Sequence, residues 1–187
     1  GMDNLEDIAI VSDGIMVARG DLGVEVAMED LPICQKRIAS VCRKYGKVCI
    51  VATEMLESMK KNSRPTRAEV TDIANAVYIG ADAVMLSGET TVGKYPIDAV
   101  KYMARICENT EEHIDYDLDR REAHCDITGA IAHSVVEVSN SLKAKLIVAA
   151  TMSGYTARKI SNLKPRCLVL ATCPDEKIAK SLALNWG

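Results

Sequence analysis

Short β-branched apolar runs alternate along the chain with stretches in which apolar residues recur every three or four positions. The runs at 14–18, 48–52 and 83–87 read as strands. Their starts lie about 35 residues apart, the repeat of successive βα units in a parallel sheet. Their continuous apolar character predicts burial on both faces. Between them, Leu31, Cys34, Ile38, Val41, Cys42 and Tyr45 mark a helix stopped by Gly46. Thr66-Arg67-Ala68-Glu69 fits a capping box, in which the hydroxyl and the carboxylate each accept an orphan backbone N–H. Val70, Ile73, Ala74 and Val77 continue that helix to Gly80. Pro96 opens a third helix, where its missing N–H costs nothing, and Ile97, Val100, Met103, Ala104 and Cys107 supply its stripe.

Beyond this third helix the pattern changes. Residues 115–122 are dense in charge and poor in apolar side chains, which marks a surface linker, placed at 114–126. Ile127, Ile131, Val135, Val138 and Leu142 then make an amphipathic helix capped by Asp126. A strand at 146–150, a short helix at 156–163 broken by Pro165, and a strand at 167–171 follow. Pro174-Asp175-Glu176 opens a last helix carrying Ile178, Leu182 and Trp186. The expected architecture is α/β: residues 1–113 form three βα units, and 127–187 form a small open αβαβα layer. Three units cannot close an eight-stranded barrel, so the first part belongs to a larger sheet or to a partial barrel. Unpaired parallel edges are a liability, and self-association is expected to cover them.

Composition adds exclusions. With 187 residues, 48% apolar and 26% charged, the chain is ordinary globular protein. A formal net charge of −3 argues against nonspecific nucleic-acid binding. The apolar runs are far too short to cross a bilayer, so no membrane partner is expected. The start, Gly1-Met2-Asp3-Asn4, lacks the basic and apolar regions of a secretory leader, and Gly1 reads as the scar of a removed tag. The seven cysteines form no Cys-x-x-Cys pair and read as small core residues of a reducing cytoplasm. His113, His124 and His133 have no metal-ligand spacing relative to them.

Candidate chemistry gathers where strands end, which is where parallel α/β folds bind ligands. Arg19-Gly20-Asp21-Leu22-Gly23 follows the first strand. Gly20 and Gly23 allow close backbone approach, free N–H groups suit a carboxylate or phosphate, and Asp21 suits Mg²⁺. The same residues read equally as a capped turn. Thr53 follows the second strand, and Ser87 and Glu89 the third; each alone reads also as a turn residue. Together, polar groups at three neighbouring strand ends point to one shared site. Thr151-Met152-Ser153-Gly154-Tyr155-Thr156, between a strand and a helix start, can cradle a phosphate or simply cap the helix.

The runs Ser12-Asp13-Gly14 to Leu22-Gly23, Ala52-Thr53 to Met59, Arg64-Pro65-Thr66-Arg67-Ala68-Glu69-Val70-Thr71-Asp72, and Asp82-Ala83 to Glu89-Thr90 resemble the pyruvate kinase family, in order and over nearly the whole chain. That resemblance implies the last three βα units of a TIM-type barrel followed by the beginning of a C-terminal α/β regulatory domain. It implies a glycolytic, cytoplasmic, allosteric homo-oligomer that transfers phosphate from phosphoenolpyruvate to ADP, giving pyruvate and ATP. Gly20, Asp21 and Thr53 would bind substrate. Asp21 would also hold Mg²⁺; Thr53 and Ser87 would be catalytic, Ser87 by assisting protonation of the enolate. Arg67 would lie at a subunit interface, and Thr151, Ser153, Gly154 and Thr156 would hold an effector's phosphate. A K⁺ site, a phosphate-stabilising lysine, a second Mg²⁺ ligand and a lid would lie upstream of residue 1, so the isolated chain is expected to be inactive. Glu54 departs from the glutamine common in the family and adds negative charge. Two other classes stay open: a Mg²⁺-dependent pyruvate or oxaloacetate aldolase or decarboxylase on a related barrel, and a noncatalytic effector-binding or oligomerisation module.

Overall fold

A computed structural model describes residues 1–114 and 126–187. The expected linker and the His124-Cys125 pair fall almost wholly outside the described residues. The first part runs α1 (Leu5–Val11), β1 (Gly14–Ala18), α2 (Arg19–Glu25), α3 (Leu31–Tyr45), β2 (Val48–Ala52), α4 (Arg67–Tyr78), β3 (Ala83–Met85), α5 (Gly88–Thr91) and α6 (Pro96–Glu111). The second runs α7 (Ile127–Ser141), β4 (Leu146–Ala150), α8 (Tyr155–Asn162), β5 (Leu168–Thr172) and α9 (Glu176–Ser181).

β1, β2 and β3 pair in parallel in that order, with Ala18 opposite Ala52 and Ala52 opposite Met85. The register brings the three C-terminal strand ends level, which is what places the candidate residues together. β3 is shorter than its apolar run, because the chain turns at Ser87, whose N–H donates to Glu89 at 2.9 Å. Val17, Ile38, Cys42, Cys49, Val51, Met55, Leu56, Met59, Ile73, Ala76 and Met103 share one core. Gly46 stops α3 in the left-handed conformation, at φ 65°, and Thr66 and Glu69 close the capping box of α4.

Several expected faces are corrected. On α6, Ile97 and Val100 are exposed while Ala99 and Met103 are buried. On α7 the bulky stripe of Ile127, Ile131, Val138 and Leu142 faces solvent. The opposite face, Gly129, Ala132, Val136 and Ser139, is the one buried. Small side chains let a helix approach a sheet closely, so both faces of α7 are periodic but only one fits. Nor are the strands buried on both sides: Met16, Leu146, Val148, Leu168 and Leu170 stand exposed while Val17, Ile147 and Ala149 are covered. Of the expected last helix, Ile178 lies in α9, which ends at Ser181, while Leu182 begins a 3-10 turn at Leu182–Leu184 and Trp186 lies past both.

The two parts meet at the strand-start end of the first sheet. Lys164 pairs with Asp82, the residue before β3, and Asp82 also accepts the Cys49 N–H at 2.8 Å. The Asn162 amide donates to the Arg43 carbonyl, and the Lys164 ammonium sits 4.8 Å from the centre of the Trp186 ring.

Candidate active site

Each strand of the first sheet hands over to polar residues at its C-terminal end. After β1 the chain enters α2 at once, so Arg19-Gly20-Asp21-Leu22-Gly23 is helical rather than an open loop. Gly20 donates its N–H to the Thr53 hydroxyl oxygen at 3.0 Å, tying the end of β1 to the end of β2. Thr53's own proton is thereby left to point elsewhere. Asp21 is exposed in the first turn of α2. Gly23 serves packing: a Cβ there would lie 3.3 Å from Leu31 and 3.6 Å from the Met28 sulfur.

Thr53 and Glu54 both adopt left-handed backbone, at φ 71° and 52°. Such a pair of non-glycine residues costs on the order of 1–3 kcal/mol each and persists only where its surroundings fix it. Arg19 provides much of that fixing. Its buried guanidinium donates to the carbonyls of Ala52 and Thr53 and to the Met55 sulfur, and pairs with Asp72 of α4. Further along the same loop, Glu69 accepts from the Ser58 N–H at 2.7 Å and its hydroxyl at 2.6 Å.

Glu89 joins the second turn to the third. It is 1% exposed, and its two oxygens accept the N–H groups of Leu56 and Ser87, each at 2.9 Å. Burial pushes this carboxyl up. The backbone donors of Leu56 and Ser87 and the charge of Lys60 outweigh it, and hold it below the usual glutamate range. Glu89 is therefore a strut beneath the site, not a group facing into it. Ser87 is half-buried at the start of α5, and its carbonyl accepts from the Thr90 and Thr91 hydroxyls.

Lys60 lies across the Ser87-Gly88 turn so closely that a Cβ on Gly88 would fall 2.1 Å from its Cε. Its ammonium bonds Glu57 at 2.7 Å and feels Glu89 and Glu54, the bond to Glu57 chiefly raising its pKa. The exposed Glu54 carboxylate thus has a cation in its vicinity. Arg67, the first residue of α4, is exposed. Sequence reasoning missed the parts of Arg19, Glu89 and Lys60. The partners of Arg19, and Leu56 as a partner of Glu89, are 33 to 53 residues away, and no local spacing signals them.

Among the described residues no group of three or more His, Cys, Asp or Glu side chains can hold a metal ion by itself. Asp21 offers one carboxylate, which suits Mg²⁺ only when water and substrate oxygens complete its shell.

A second polar turn follows β4. Thr151 is buried and its hydroxyl oxygen accepts the Gly154 N–H at 3.0 Å. Gly154, at φ 80°, precedes α8, whose first N–H groups receive no side-chain cap. Arg158 donates to the Ser153 carbonyl at 2.8 Å and lies against Gly154. Ser153 is exposed and Thr156 half-buried. Hydroxyls, a guanidinium and a helix start thus lie together on one turn after β4, in the second part of the chain.

The family profile described as "Pyruvate kinase, barrel domain" matches residues 1–100, and that described as "Pyruvate kinase, alpha/beta domain" matches residues 129–187. A pyruvate kinase of Sporosarcina psychrophila is 47% identical over 191 aligned positions, covering 100% of this chain and 33% of the relative. One of Clostridium perfringens is 46% identical, covering 100% and 41%. A crystal structure of a pyruvate kinase from Cryptosporidium parvum superposes with a TM-score of 0.95 at 44% identity, covering 100% of this chain and 39% of that one. The chain thus spans between 33% and 41% of the length of these relatives.

Proposed function

The chain belongs to the pyruvate kinase family, and from that premise we propose that it supplies part of the active site of an enzyme moving a phosphoryl group from phosphoenolpyruvate to ADP, giving pyruvate and ATP. The observation that carries the reading is the pair of ties across the strand ends: Gly20 N–H to the Thr53 hydroxyl, and Glu89 to both Leu56 and Ser87. They link the strand ends that carry Gly20, Thr53 and Ser87, which supports reading Asp21, Thr53 and Ser87 as parts of one site. In this reading β1, β2 and β3 are an arc of a TIM-type barrel, and α7 to α9 with β4 and β5 begin a regulatory domain.

Each residue then has a chemical part. Gly20 and Asp21 contact the carboxylate end of the substrate at the start of α2, the Asp21 N–H donating to it while the Gly20 N–H stays on Thr53. Thr53 donates its free proton to a substrate oxygen. Ser87 passes a proton toward the enolate carbon as pyruvate forms. Asp21 would hold Mg²⁺, which when bound supplies positive charge against carboxylate and enolate oxygens. Phosphoryl transfer depends mainly on such positioning and neutralisation. Thr151, Ser153, Gly154 and Thr156, joined by Arg158, receive the phosphate of an effector. Arg67 meets a neighbouring subunit of a cytoplasmic, glycolytic homo-oligomer, whose K⁺ requirement is the family's.

Calorimetric titration with oxalate, a planar stand-in for the enolate of pyruvate, tests this. Binding is expected to require Mg²⁺ and to be lost in Asp21→Asn. Equal heat with and without Mg²⁺, or an unchanged D21N titration, refutes the assignment.

A further inference from the structure

We propose that Arg19 is the positioning residue for Thr53: its guanidinium holds the threonine in left-handed backbone by the carbonyl, while Asp72 holds the guanidinium. This role rests on the reading of Thr53 as a substrate contact and deepens it.

Thr53 is β-branched and sits at φ 71°, and Glu54 follows at φ 52°. An L side chain in that region crowds its Cβ against the backbone, so something outside the turn must hold it. The donors of Arg19 are directed at this loop and at the helix beside it. Nε lies 3.3 Å from the Ala52 oxygen and 3.2 Å from the Thr53 oxygen. Nη2 donates to the same Thr53 oxygen and, at 2.9 Å, to the Met55 sulfur, and Nη1 donates to Asp72. A rigid planar fork can serve consecutive acceptors in this way, and a lysine ammonium on a flexible stem cannot. The side chain is buried, so water does not replace these bonds if they are lost.

The consequence for chemistry lies in the next residue. Gly20, adjacent to Arg19, gives its N–H to the Thr53 hydroxyl oxygen at 3.0 Å. One dipeptide step therefore fixes Thr53 twice, the carbonyl through a side chain and the hydroxyl through a backbone donor. With one lone pair engaged by Gly20, the hydroxyl turns its proton away from that donor. A turn relaxed to negative φ carries the hydroxyl away from Gly20 and loses that direction. Asp72 lies in α4, directly beyond the capping box, so the helix start is tied to the site through the same ion pair.

The variants Arg19→Lys and Asp72→Asn of this chain test the role, with two measurements made where the fold is intact. Backbone NMR shifts and couplings of Gly20, Thr53 and Glu54 read the turn, and calorimetry reads oxalate affinity in Mg²⁺. R19K is expected to shift Thr53 and Glu54 out of the left-handed range and to weaken oxalate about tenfold or more, as losing a charged hydrogen bond does. Resonances of β4, β5 and α7 should stay in place. D72N, which keeps the guanidinium, should change both readouts in the same direction and less. An arginine with only a structural part would lower the unfolding temperature and leave Thr53 left-handed with the oxalate affinity unchanged; that result overturns the proposal. If R19K does not fold, D72N decides on the same two readouts. If the unmodified chain binds no oxalate, the substrate reading fails by itself. The ligand-free NMR arm then still decides: a Thr53 that stays left-handed in the variants overturns the positioning role, and one that relaxes supports it.

Discussion

Glu89→Gln separates a strut from a surface carboxylate. The side chain is 1% exposed and accepts two backbone N–H groups at 2.9 Å, from Leu56 and Ser87. Bonds to an ionised acceptor are worth about 1.5–3 kcal/mol each, and a stranded buried donor costs about 1–3 kcal/mol. Glutamine keeps one acceptor oxygen, so one bond survives in neutral form. Its NH₂ must then face the other N–H, and that donor is left without a partner. The expected loss is about 2–4 kcal/mol at pH 7, read as the difference in urea unfolding followed by circular dichroism. In a chain of this size each 1 kcal/mol moves the thermal midpoint by about 2–4 °C. The pH dependence has a definite sign. The folded-state pKa of Glu89 is lowered, so its stabilisation is complete above the unfolded glutamate value of about 4.3 and is lost as pH falls through the folded value. The gap between the unmodified chain and E89Q should therefore be widest near neutrality, narrow once pH falls past the unfolded value and close below the folded one. A gap under about 0.5 kcal/mol at pH 7, or one that widens on acidification, refutes the strut.

The junction between the two parts and the outer face of α7 give further tests. Removing one partner of a buried pair costs about 3–5 kcal/mol. Asp82→Asn, which strands the Lys164 ammonium, should therefore destabilise the chain by about that much and alter the fluorescence of Trp186, the single tryptophan, beside that ammonium. An unchanged emission spectrum together with unchanged urea unfolding would count against the junction. The exposed stripe of Ile127, Ile131, Val138 and Leu142 should drive self-association. The double variant I131K/V138K should lower the mass seen by light scattering at unchanged helicity. An unchanged mass would remove this face from any subunit contact.

The alternation of strands and helices was legible because the two periods differ. Val48-Cys49-Ile50-Val51-Ala52 has no polar break, whereas Leu31 to Tyr45 repeats in threes and fours, and both are observed as strand and helix with the stop at Gly46. The capping box at Thr66 and Glu69 was legible because both its bonds are local. The face of α7 was not. Its bulky stripe and its small-residue stripe are both helical in period, and the choice depends on how closely the sheet approaches. The helix α2 was also hidden, since glycine-rich Arg19-Gly20-Asp21-Leu22-Gly23 has the composition of a loop and is helical in the folded chain.

The candidate site divides along the same line. Parallel strands in register bring Gly20, Thr53 and Ser87 to one edge, and the sequence pattern implies that much. What holds them there comes from elsewhere in the chain. Arg19 reaches Asp72 and the turn after β2, and Glu89 reaches back to Leu56. These ties are charged and buried, and each spans at least 33 residues. A charged side chain next to a strand end ordinarily reads as a solvent-facing or ligand-facing group. Arg19 and Glu89 are neither, and their burial is offset by the backbone groups they satisfy and, for Arg19, by the Asp72 carboxylate. Two consecutive left-handed non-glycine residues at Thr53 and Glu54 are then expected rather than anomalous: the strain is local, and the bonds that oppose it come from β1's end, from α4 and from α5. A substitution at any of these three supports should therefore disturb the hydroxyl of Thr53 without touching Thr53 itself.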